Sequence, residues 1–278
     1  MKYITLNNGI QMPMLGYGVY QIPNSQTKEC VLEALKVGYR LIDTAQYYGN
    51  ERGVGDAIKA SGIPRKEIFI TTKLKSNHNV ERLIEQSLAD LQTDYIDLLL
   101  IHWVMGDDLA TWRWMENAVR SGKVRAIGLS NFYGTDYDHI VKNAEILPAI
   151  NQIEHHILRQ NHSFHTTLDK TGTILEAWAP FGEGKAGILQ NPTIRTIANK
   201  YHKTPAQVIL RLYLQSGVVA IPKSVHRQRM QENFNIGDFM LTPEDMAAIA
   251  SMNMGYNMIL DLHAPEEVQR LYGIECPA

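Results

Sequence analysis

The sequence has few cysteines and no excess of charge of either sign. Its two cysteines, Cys30 and Cys276, lie near opposite ends of the 278-residue chain and show neither CxxC nor metal-ligand spacing. This usage is typical of reduced thiols in a cytosolic protein, although the spacing leaves a disulfide open. The formal net charge is -2, with acidic and basic residues mixed throughout, so binding to nucleic acid or to an anionic membrane surface is not indicated. We therefore expect small molecules as partners.

Long apolar runs are also absent. The first ten residues, MKYITLNNGI, lack the basic and apolar segments of a secretion signal, and the strongest apolar stretch, 95–103, is short and contains Asp97. We therefore expect a cytoplasmic protein that crosses no membrane. No linker, low-complexity segment or block of like charge divides the chain. Residues 1–278 are accordingly expected to form one domain that acts as a monomer.

A β-hairpin is predicted at the beginning of the chain. Asn8 and Gly9 separate two short alternating runs, residues 3–6 and 10–13. A type I′ turn needs positive φ at both central residues, and an Asn-Gly pair adopts this conformation readily. The sequence therefore predicts a two-residue turn of this type.

Short continuous apolar segments follow the hairpin and are typical of buried parallel strands. There are eight of them, at residues 16–20, 39–43, 68–73, 95–102, 124–130, 149–154, 173–179 and 218–222. Helical patterns fill most of the gaps, at residues 27–36, 51–60, 80–91, 109–120, 136–144, 192–201 and 205–215. Eight βα units favour an α/β fold of the (β/α)8 TIM barrel type, with an open doubly wound sheet as the alternative.

Beyond the last strand, the sequence predicts one further C-terminal helix at 241–252. Thr242, Pro243 and Glu244 are typical of a helix start. The tail after Gly255 has an irregular pattern and is a candidate cover for a pocket.

Four polar side chains end or follow successive predicted strands. Asp43 ends the second strand, Tyr48 lies in the loop after it, Lys73 ends the third strand and His102 ends the fourth. In a barrel these strand ends form one mouth, where active sites are built. Asp43 would keep Lys73 protonated, Lys73 would favour tyrosinate and so make Tyr48 a proton donor, and His102 would orient a carbonyl group. Each residue alone could be structural, but structural residues have no reason to collect at one mouth.

Several segments resemble the signature segments of the aldo-keto reductase family, and the resemblance spans nearly the whole chain. These segments are, in order, GYRLIDTAQYYGNE, ITTKL, LLLIHW, GKVRAIGLSNF, NQIE and IPKSVHRQRMQEN. The family's catalytic Asp, Tyr, Lys and His map onto Asp43, Tyr48, Lys73 and His102. The resemblance implies an enzyme that reduces aldehydes or ketones with NAD(P)H.

The resemblance also implies a cofactor site. Ser130, Asn131 and Gln152 match positions that hold the nicotinamide carboxamide, and Trp178 stands where many members have a tyrosine that stacks on the nicotinamide. A further set matches positions that bind the adenosine 2′-phosphate and the adenine: Lys223, Ser224, Arg229, Glu232 and Asn233. Two cations and a hydroxyl suit a dianionic phosphate, so NADPH is the expected cofactor. The alternatives are that Asn131 caps a helix and that the basic residues form a solvated face.

A glycine-rich segment, residues 182–187, fits the G-x-G-x-x-G pattern of dinucleotide-binding folds. It follows the seventh strand rather than the first and lacks an acidic strand end about 20 residues further on, so we discount that interpretation. A role for this segment as a cover over the cofactor's pyrophosphate stays open.

The expected substrate pocket departs from the family pattern. Tyr20 stands where tryptophan is common, and Val104 and Met105 follow IHW where a proline is usual. We expect an open pocket that binds a small carbonyl compound through Tyr20, Tyr47, His102 and Trp103, and the sequence does not identify that compound.

Other functions stay open at this point. A lyase could form a Schiff base on Lys73, although the expected ion pair argues against the free amine that this needs, and a glycosidase could use Asp43 and Glu154. A reductase-like barrel could also bind a nucleotide without catalysis, which the complete catalytic set disfavours. No metal site is expected, because Glu154, His155 and His156 are adjacent and point to different faces of a strand.

Overall fold

The structure of the protein is a computed structural model that describes residues 1–185 and 187–260. The predicted hairpin is present, with β1 (Tyr3–Thr5) antiparallel to β2 (Gln11–Pro13). Its turn differs from the prediction, because Gly9 has a φ of 85° but Asn8 is not among the residues with positive φ. The Gly9 amide donates to the Leu6 carbonyl oxygen at 2.9 Å. The loop is therefore longer than two residues and needs only glycine in the left-handed region, so the type I′ prediction is wrong.

Eight parallel strands form one sheet, and each strand pairs with the next along the chain. A parallel bridge between Leu15 and Ala220 joins the two ends of this sheet, and the Gly16 amide donates to the Ala220 carbonyl oxygen at 2.8 Å. The sheet is closed, which confirms the (β/α)8 barrel and excludes the open alternative. The strands are β3 (Tyr17–Gly18), β4 (Leu41–Asp43), β5 (Phe69–Leu74), β6 (Ile96–Ile101), β7 (Val124–Ser130), β8 (Ile150–Glu154), β9 (Ile174–Trp178) and β10 (Val219–Ala220).

Helices alternate with the strands, and in the part of the chain that the structure describes none is long and apolar enough to cross a membrane. Thr204 and Thr242 each form a capping box at a helix start and are each followed by proline. Local hydrogen bonds therefore fix the start of the helix at Pro205 and of the predicted C-terminal helix at Pro243. The helices are α1 (Asn24–Val37), α2 (Glu51–Ser61), α3 (Val80–Leu91), α4 (Asp108–Arg120), α5 (Gly134–Asn143), α6 (His162–Asp169), α7 (Pro192–Tyr201), α8 (Pro205–Gln215), α9 (Arg227–Phe234) and α10 (Pro243–Ala250).

The hairpin closes one end of the barrel. Its residues Leu6 and Met12 are buried in a cluster with Leu41, Phe69 and Leu98, which lie near the amino ends of their strands. Apolar packing therefore fills the barrel at this end, and the opposite mouth is the one available for a site.

The end of the described chain lies against the loop after β8. The Met254 amide donates to the Leu158 carbonyl oxygen at 2.8 Å, and Arg159 donates from Nη1 to the Gly255 carbonyl oxygen at 2.7 Å. The possible pocket cover predicted after Gly255 falls mostly on residues 261–278, which lie outside the described residues. The second cysteine, Cys276, lies in the same range.

Candidate active site

The structure brings the four predicted catalytic side chains together at the carboxyl ends of neighbouring strands. Asp43 ends β4, Lys73 lies one residue before the end of β5, and His102 directly follows β6. Tyr48 lies in the 3₁₀ turn after β4. The mouth opposite the hairpin therefore holds an acid, a cation, a phenol and an imidazole.

Lys73 is fully buried and contacts three oxygen atoms. Its Nζ atom donates to Asp43 Oδ1 at 2.7 Å, to the Thr44 carbonyl oxygen at 2.9 Å and to Tyr48 Oη at 3.4 Å. Burial lowers the pKa of Lys73, but the interactions of Lys73 with its neighbours, of which the charge of Asp43 is the largest, together outweigh this effect and the net shift is upward. Burial raises the pKa of Asp43, whereas Lys73 and a hydrogen bond from Gln152 lower it. With donors on both of its oxygens, Asp43 is the carboxylate partner of a charged Lys73.

Tyr48 is a half-buried phenol beside this cation. Burial raises the pKa of Tyr48 to about 12, while the charge of Lys73 opposes the rise. The hydroxyl therefore carries its proton at neutral pH. Because Lys73 stabilises the phenolate that forms when this proton leaves, Tyr48 has the surroundings that a general acid needs.

His102 supplies a neutral imidazole at the same mouth. The residue is 8% exposed, and burial together with the charge of Lys73 lowers the pKa of His102 well below its ordinary value. The ring centroid lies 5.7 Å from that of Tyr48. Nδ1 is buried and has no hydrogen-bond partner within residues 1–185 and 187–260. A neutral ring in this position can orient a carbonyl oxygen without adding charge.

Aromatic rings line the predicted substrate side. Tyr20 is 40% exposed and its ring centroid lies 5.0 Å from that of Tyr48. The ring centroid of Trp103 lies 5.5 Å from that of Tyr47 and 4.4 Å from that of His102. Trp103 is only 5% exposed. Tyr20, Tyr47 and Trp103 thus form an aromatic wall that is exposed at Tyr20 and buried at Trp103.

Four residues predicted for the nicotinamide lie on adjacent strands of the same mouth or directly after one of them. Asn131 Nδ2 donates to the His102 carbonyl oxygen at 3.0 Å and to Ser130 Oγ at 3.1 Å, and its Oδ1 accepts from Trp178 Nε1 at 2.9 Å. Gln152 on β8 donates from Nε2 to Asp43 Oδ2 at 2.8 Å. The residue that precedes α5 is Tyr133, so the alternative that Asn131 caps this helix is wrong.

The residues predicted for the adenosine end line one cleft of about 930 Å³. Lys223 and Arg229 are exposed and pair with no carboxylate among the residues that the structure describes. Ser224, Glu232 and Asn233 line the same cleft. Two unpaired cations facing a cleft of this size can bind a phosphate group.

The glycine-rich segment follows β9 and forms a short 3₁₀ turn, Gly182–Gly184, before a second one at Ile188–Gln190. It opens no long helix, which agrees with discounting it as a dinucleotide fingerprint. Phe181 and Leu189, on either side of it, line the cleft described above. A role as a cover for the pyrophosphate stays a prediction.

Sequence reasoning missed two residues at these sites. Glu176 is a fully buried acid within β9, and Arg195 on α7 lines the adenosine cleft. One acidic residue inside the otherwise apolar strand Ile174–Trp178 was the available signal for Glu176. Arg195 gave no signal, because only the fold brings α7 beside the loop after β10.

The rival chemistries lack what they need in the structure. Glu154 accepts the backbone amides of Met258 at 2.6 Å and Leu260 at 3.0 Å, so it is held by the end of the described chain rather than presented to a sugar. Lys73 is ion-paired rather than a free amine. In the described ranges, no group of three His, Cys, Asp or Glu side chains is arranged to hold a metal ion.

Comparison with known proteins identifies relatives along most of the chain. The sequence model for the Aldo/keto reductase family matches residues 12–254. A glyoxal reductase of Bacillus subtilis is 44% identical over 256 residues, which cover 90% of this chain and 92% of that protein. A methylglyoxal reductase of Yersinia pestis is 41% identical over 257 residues, which cover 91% and 93%. The solved structure of a Bombyx mori aldo-keto reductase in complex with NADP is 34% identical, with a TM-score of 0.87 and coverage of 94% of this chain and 95% of that one.

Proposed function

Because the chain belongs to the aldo/keto reductase family and is an oxidoreductase that reduces carbonyl compounds, we propose that it uses NADPH as the reductant and Tyr48 as the proton donor. The observation that carries this proposal is the buried Asp43–Lys73 pair, whose Nζ atom lies 3.4 Å from the Tyr48 hydroxyl. The family match from 12 to 254 includes every proposed site residue and supports a single catalytic domain.

The residues of the mouth and the cleft fit a nicotinamide dinucleotide phosphate. Ser130, Asn131 and Gln152 offer amide and hydroxyl groups for the carboxamide, and Trp178 offers an indole face. Lys223 and Arg229 offer charge for the 2′-phosphate at the far end. The exposed cations of the cleft, unpaired with carboxylates among the described residues, are the observation that favours NADPH over NADH.

NADPH, when bound, supplies the hydride that reduces the carbonyl carbon. The Tyr48 hydroxyl then gives its proton to the carbonyl oxygen, which yields the alcohol. Lys73 compensates the charge left on the Tyr48 oxygen, and Asp43 keeps Lys73 charged. His102, as a neutral hydrogen-bond donor, orients the carbonyl oxygen toward Tyr48.

We propose small aldehydes and α-dicarbonyl compounds as substrates. The names of two relatives, a glyoxal reductase and a methylglyoxal reductase, support this class. The aromatic wall of Tyr20, Tyr47 and Trp103 supports it too, because it offers flat apolar surface beside Tyr48 and His102. Uncharged carbonyl compounds suit such a surface better than charged ones.

A substrate panel tests this function. NADPH absorbance is followed while glyoxal, methylglyoxal, a simple aldehyde, a ketone and a keto acid are offered in turn. We expect the two dicarbonyl compounds to be reduced fastest, and Lys73→Met to lower their turnover at least about a hundredfold because the Tyr48 phenolate loses its cation. NADPH binding without reduction of any carbonyl compound would contradict the proposal and favour a nucleotide-binding protein without catalysis.

A further inference from the structure

Glu176 is a carboxyl group in the barrel interior that the mechanism above does not use. It lies at the centre of β9 and is fully buried. Gln152, on the neighbouring strand β8, donates from its Nε2 atom to Glu176 Oε2 at 3.0 Å and to Asp43 Oδ2 at 2.8 Å. One amide group thus connects the two carboxyl groups, and both of its hydrogen atoms are used.

The charges of this cluster indicate which carboxyl group holds a proton. Asp43 pairs with Lys73 at 2.7 Å. If Glu176 were ionised as well, the buried cluster would carry a net negative charge that only the Gln152 amide could offset, which is strongly unfavourable. A neutral Glu176 leaves the cluster with one negative and one positive charge.

The groups that face Glu176 lie on four strands. Asp43 on β4 and Lys73 on β5 are the titratable groups that act on it, and Gln152 faces it from β8. On β10 the residue paired in register with Glu176 is the apolar Val219. Burial raises the pKa of Glu176 to about 8, and the charge of Asp43 adds to the rise, while Gln152 and Lys73 oppose it.

We propose that Glu176, as a neutral carboxylic acid, is a positioning residue for carbonyl reduction that fixes Gln152 against Asp43 and leaves Asp43 as the counterion of Lys73. The inference rests on the proposed function, in which Gln152 holds the nicotinamide carboxamide and Lys73 supports Tyr48. With both amide hydrogens of Gln152 occupied, its Oε1 atom is left to accept from the cofactor. An ionised Glu176 would add a second negative charge beside Lys73 and disfavour the Tyr48 phenolate, so reduction should weaken when Glu176 loses its proton.

Infrared difference spectroscopy tests the protonation without cofactor or substrate. Wild type at neutral pH should show the carbonyl stretching band of a protonated carboxylic acid that Glu176→Gln lacks, and should lose this band as the pH rises through about 8. Glu51→Gln is the matched control, because Glu51 is another buried glutamate and accepts from Thr72 Oγ1 at 2.6 Å instead of from Gln152. The control should leave the Glu176 band in place. A wild type without this band at neutral pH overturns the proposal.

The pH dependence of NADPH affinity and of kcat/KM tests the positioning role. Glu176→Gln keeps a neutral group that can accept from Gln152, so we expect its NADPH affinity and turnover at neutral pH to stay within about twofold of wild type, and the alkaline decline of kcat/KM near pH 8 to disappear. Glu176→Leu removes the acceptor and should weaken NADPH binding about tenfold.

The outcomes separate this role from the proposed function. If wild type is active and the alkaline decline of kcat/KM persists unchanged in Glu176→Gln, the role of Glu176 is overturned but the proposed function is not. If Glu176→Leu has a normal thermal unfolding transition and unchanged NADPH affinity, the role of Glu176 is likewise overturned and the proposed function is not. If Glu176→Leu fails to fold, Glu176→Gln decides. A wild type that reduces no carbonyl compound overturns the proposed function and the role of Glu176 with it.

Discussion

At the scale of single residues, position along a strand separates two buried acids by their roles. Asp97 and Asp43 are both buried carboxyl groups on barrel strands. Asp97 lies near the amino end of β6 and pairs with Arg65 at 2.7 Å and Arg125 at 2.6 Å. Asp43 lies at the carboxyl end of its strand and faces Lys73 at the mouth. Asp97 therefore ties the barrel together, whereas Asp43 belongs to the chemistry.

Two arginines of α9 allow the cofactor choice to be tested. Arg229 lines the adenosine cleft, whereas Arg227 pairs with Glu33 at 2.9 Å. Loss of a charge-assisted hydrogen bond to a phosphate should make Arg229→Ala bind NADPH about ten- to a hundredfold more weakly, with little effect on NADH. Titrations that follow intrinsic tryptophan fluorescence would give both dissociation constants.

Arg227→Ala is the control for this measurement and should leave both dissociation constants within about twofold of wild type, because surface ion pairs contribute little. If Arg229→Ala instead weakened NADPH and NADH equally, Arg229 would support the loop rather than bind a phosphate. The choice of NADPH over NADH would then lose its basis.

At the scale of elements, the end of β8 holds the last described segment of the chain. Glu154 is fully buried and accepts from the amides of Met258 and Leu260 and from His156 Nε2 at 3.1 Å. Burial raises the pKa of Glu154, but the hydrogen bonds of His156 and of the two amides outweigh it, and the net shift is downward. An ionised Glu154 therefore stabilises the native structure.

Glu154→Gln should lower the free energy of unfolding by on the order of 2 kcal/mol at neutral pH, because charged hydrogen bonds are replaced by neutral ones. The lowered pKa makes this contribution fully present above the unfolded pKa of about 4.3, and it is lost as the pH falls through the folded pKa. Thermal unfolding at several pH values would measure the difference from wild type.

A matched control for Glu154→Gln is Glu33→Gln, which removes a carboxylate paired at the surface with Lys36 and Arg227. It should change stability by less than about 1 kcal/mol. If Glu154→Gln unfolded like wild type at neutral pH, the contacts of Glu154 with Met258 and Leu260 would contribute nothing to stability.

Some elements were predictable from the sequence and others were not. The eight barrel strands were found because strands covered on both faces are continuous apolar runs. The helices α6 and α9 were missed, since each has eight residues and buries only one or two side chains, so neither shows an apolar period. The hydrogen bonds of Glu154 with Met258 and Leu260 join residues about a hundred positions apart. A local sequence pattern does not predict such contacts.

At the scale of the whole molecule, the hairpin packs one end of the barrel, and the other end holds both the catalytic group and the adenosine cleft. The order of βα units predicted that the catalytic residues share one mouth, but not that the hairpin packs the other end. The raised pKa values of Tyr48 and Glu176 and the lowered pKa of His102 were not predicted, because they depend on burial and on distances between strands that only the closed barrel sets.

The reduction of methylglyoxal by Tyr48→Phe tests the account most directly. Phenylalanine keeps the ring that packs against Tyr20 and His102, so only the hydroxyl group, and with it the proton, is removed. The variant should bind NADPH with wild-type affinity, measured by tryptophan fluorescence, and should lose at least about a hundredfold in turnover. Tyr95→Phe, which lies just before β6 at the opposite end of the barrel, should keep both properties. Near wild-type turnover in Tyr48→Phe with NADPH binding intact would contradict Tyr48 as the proton donor.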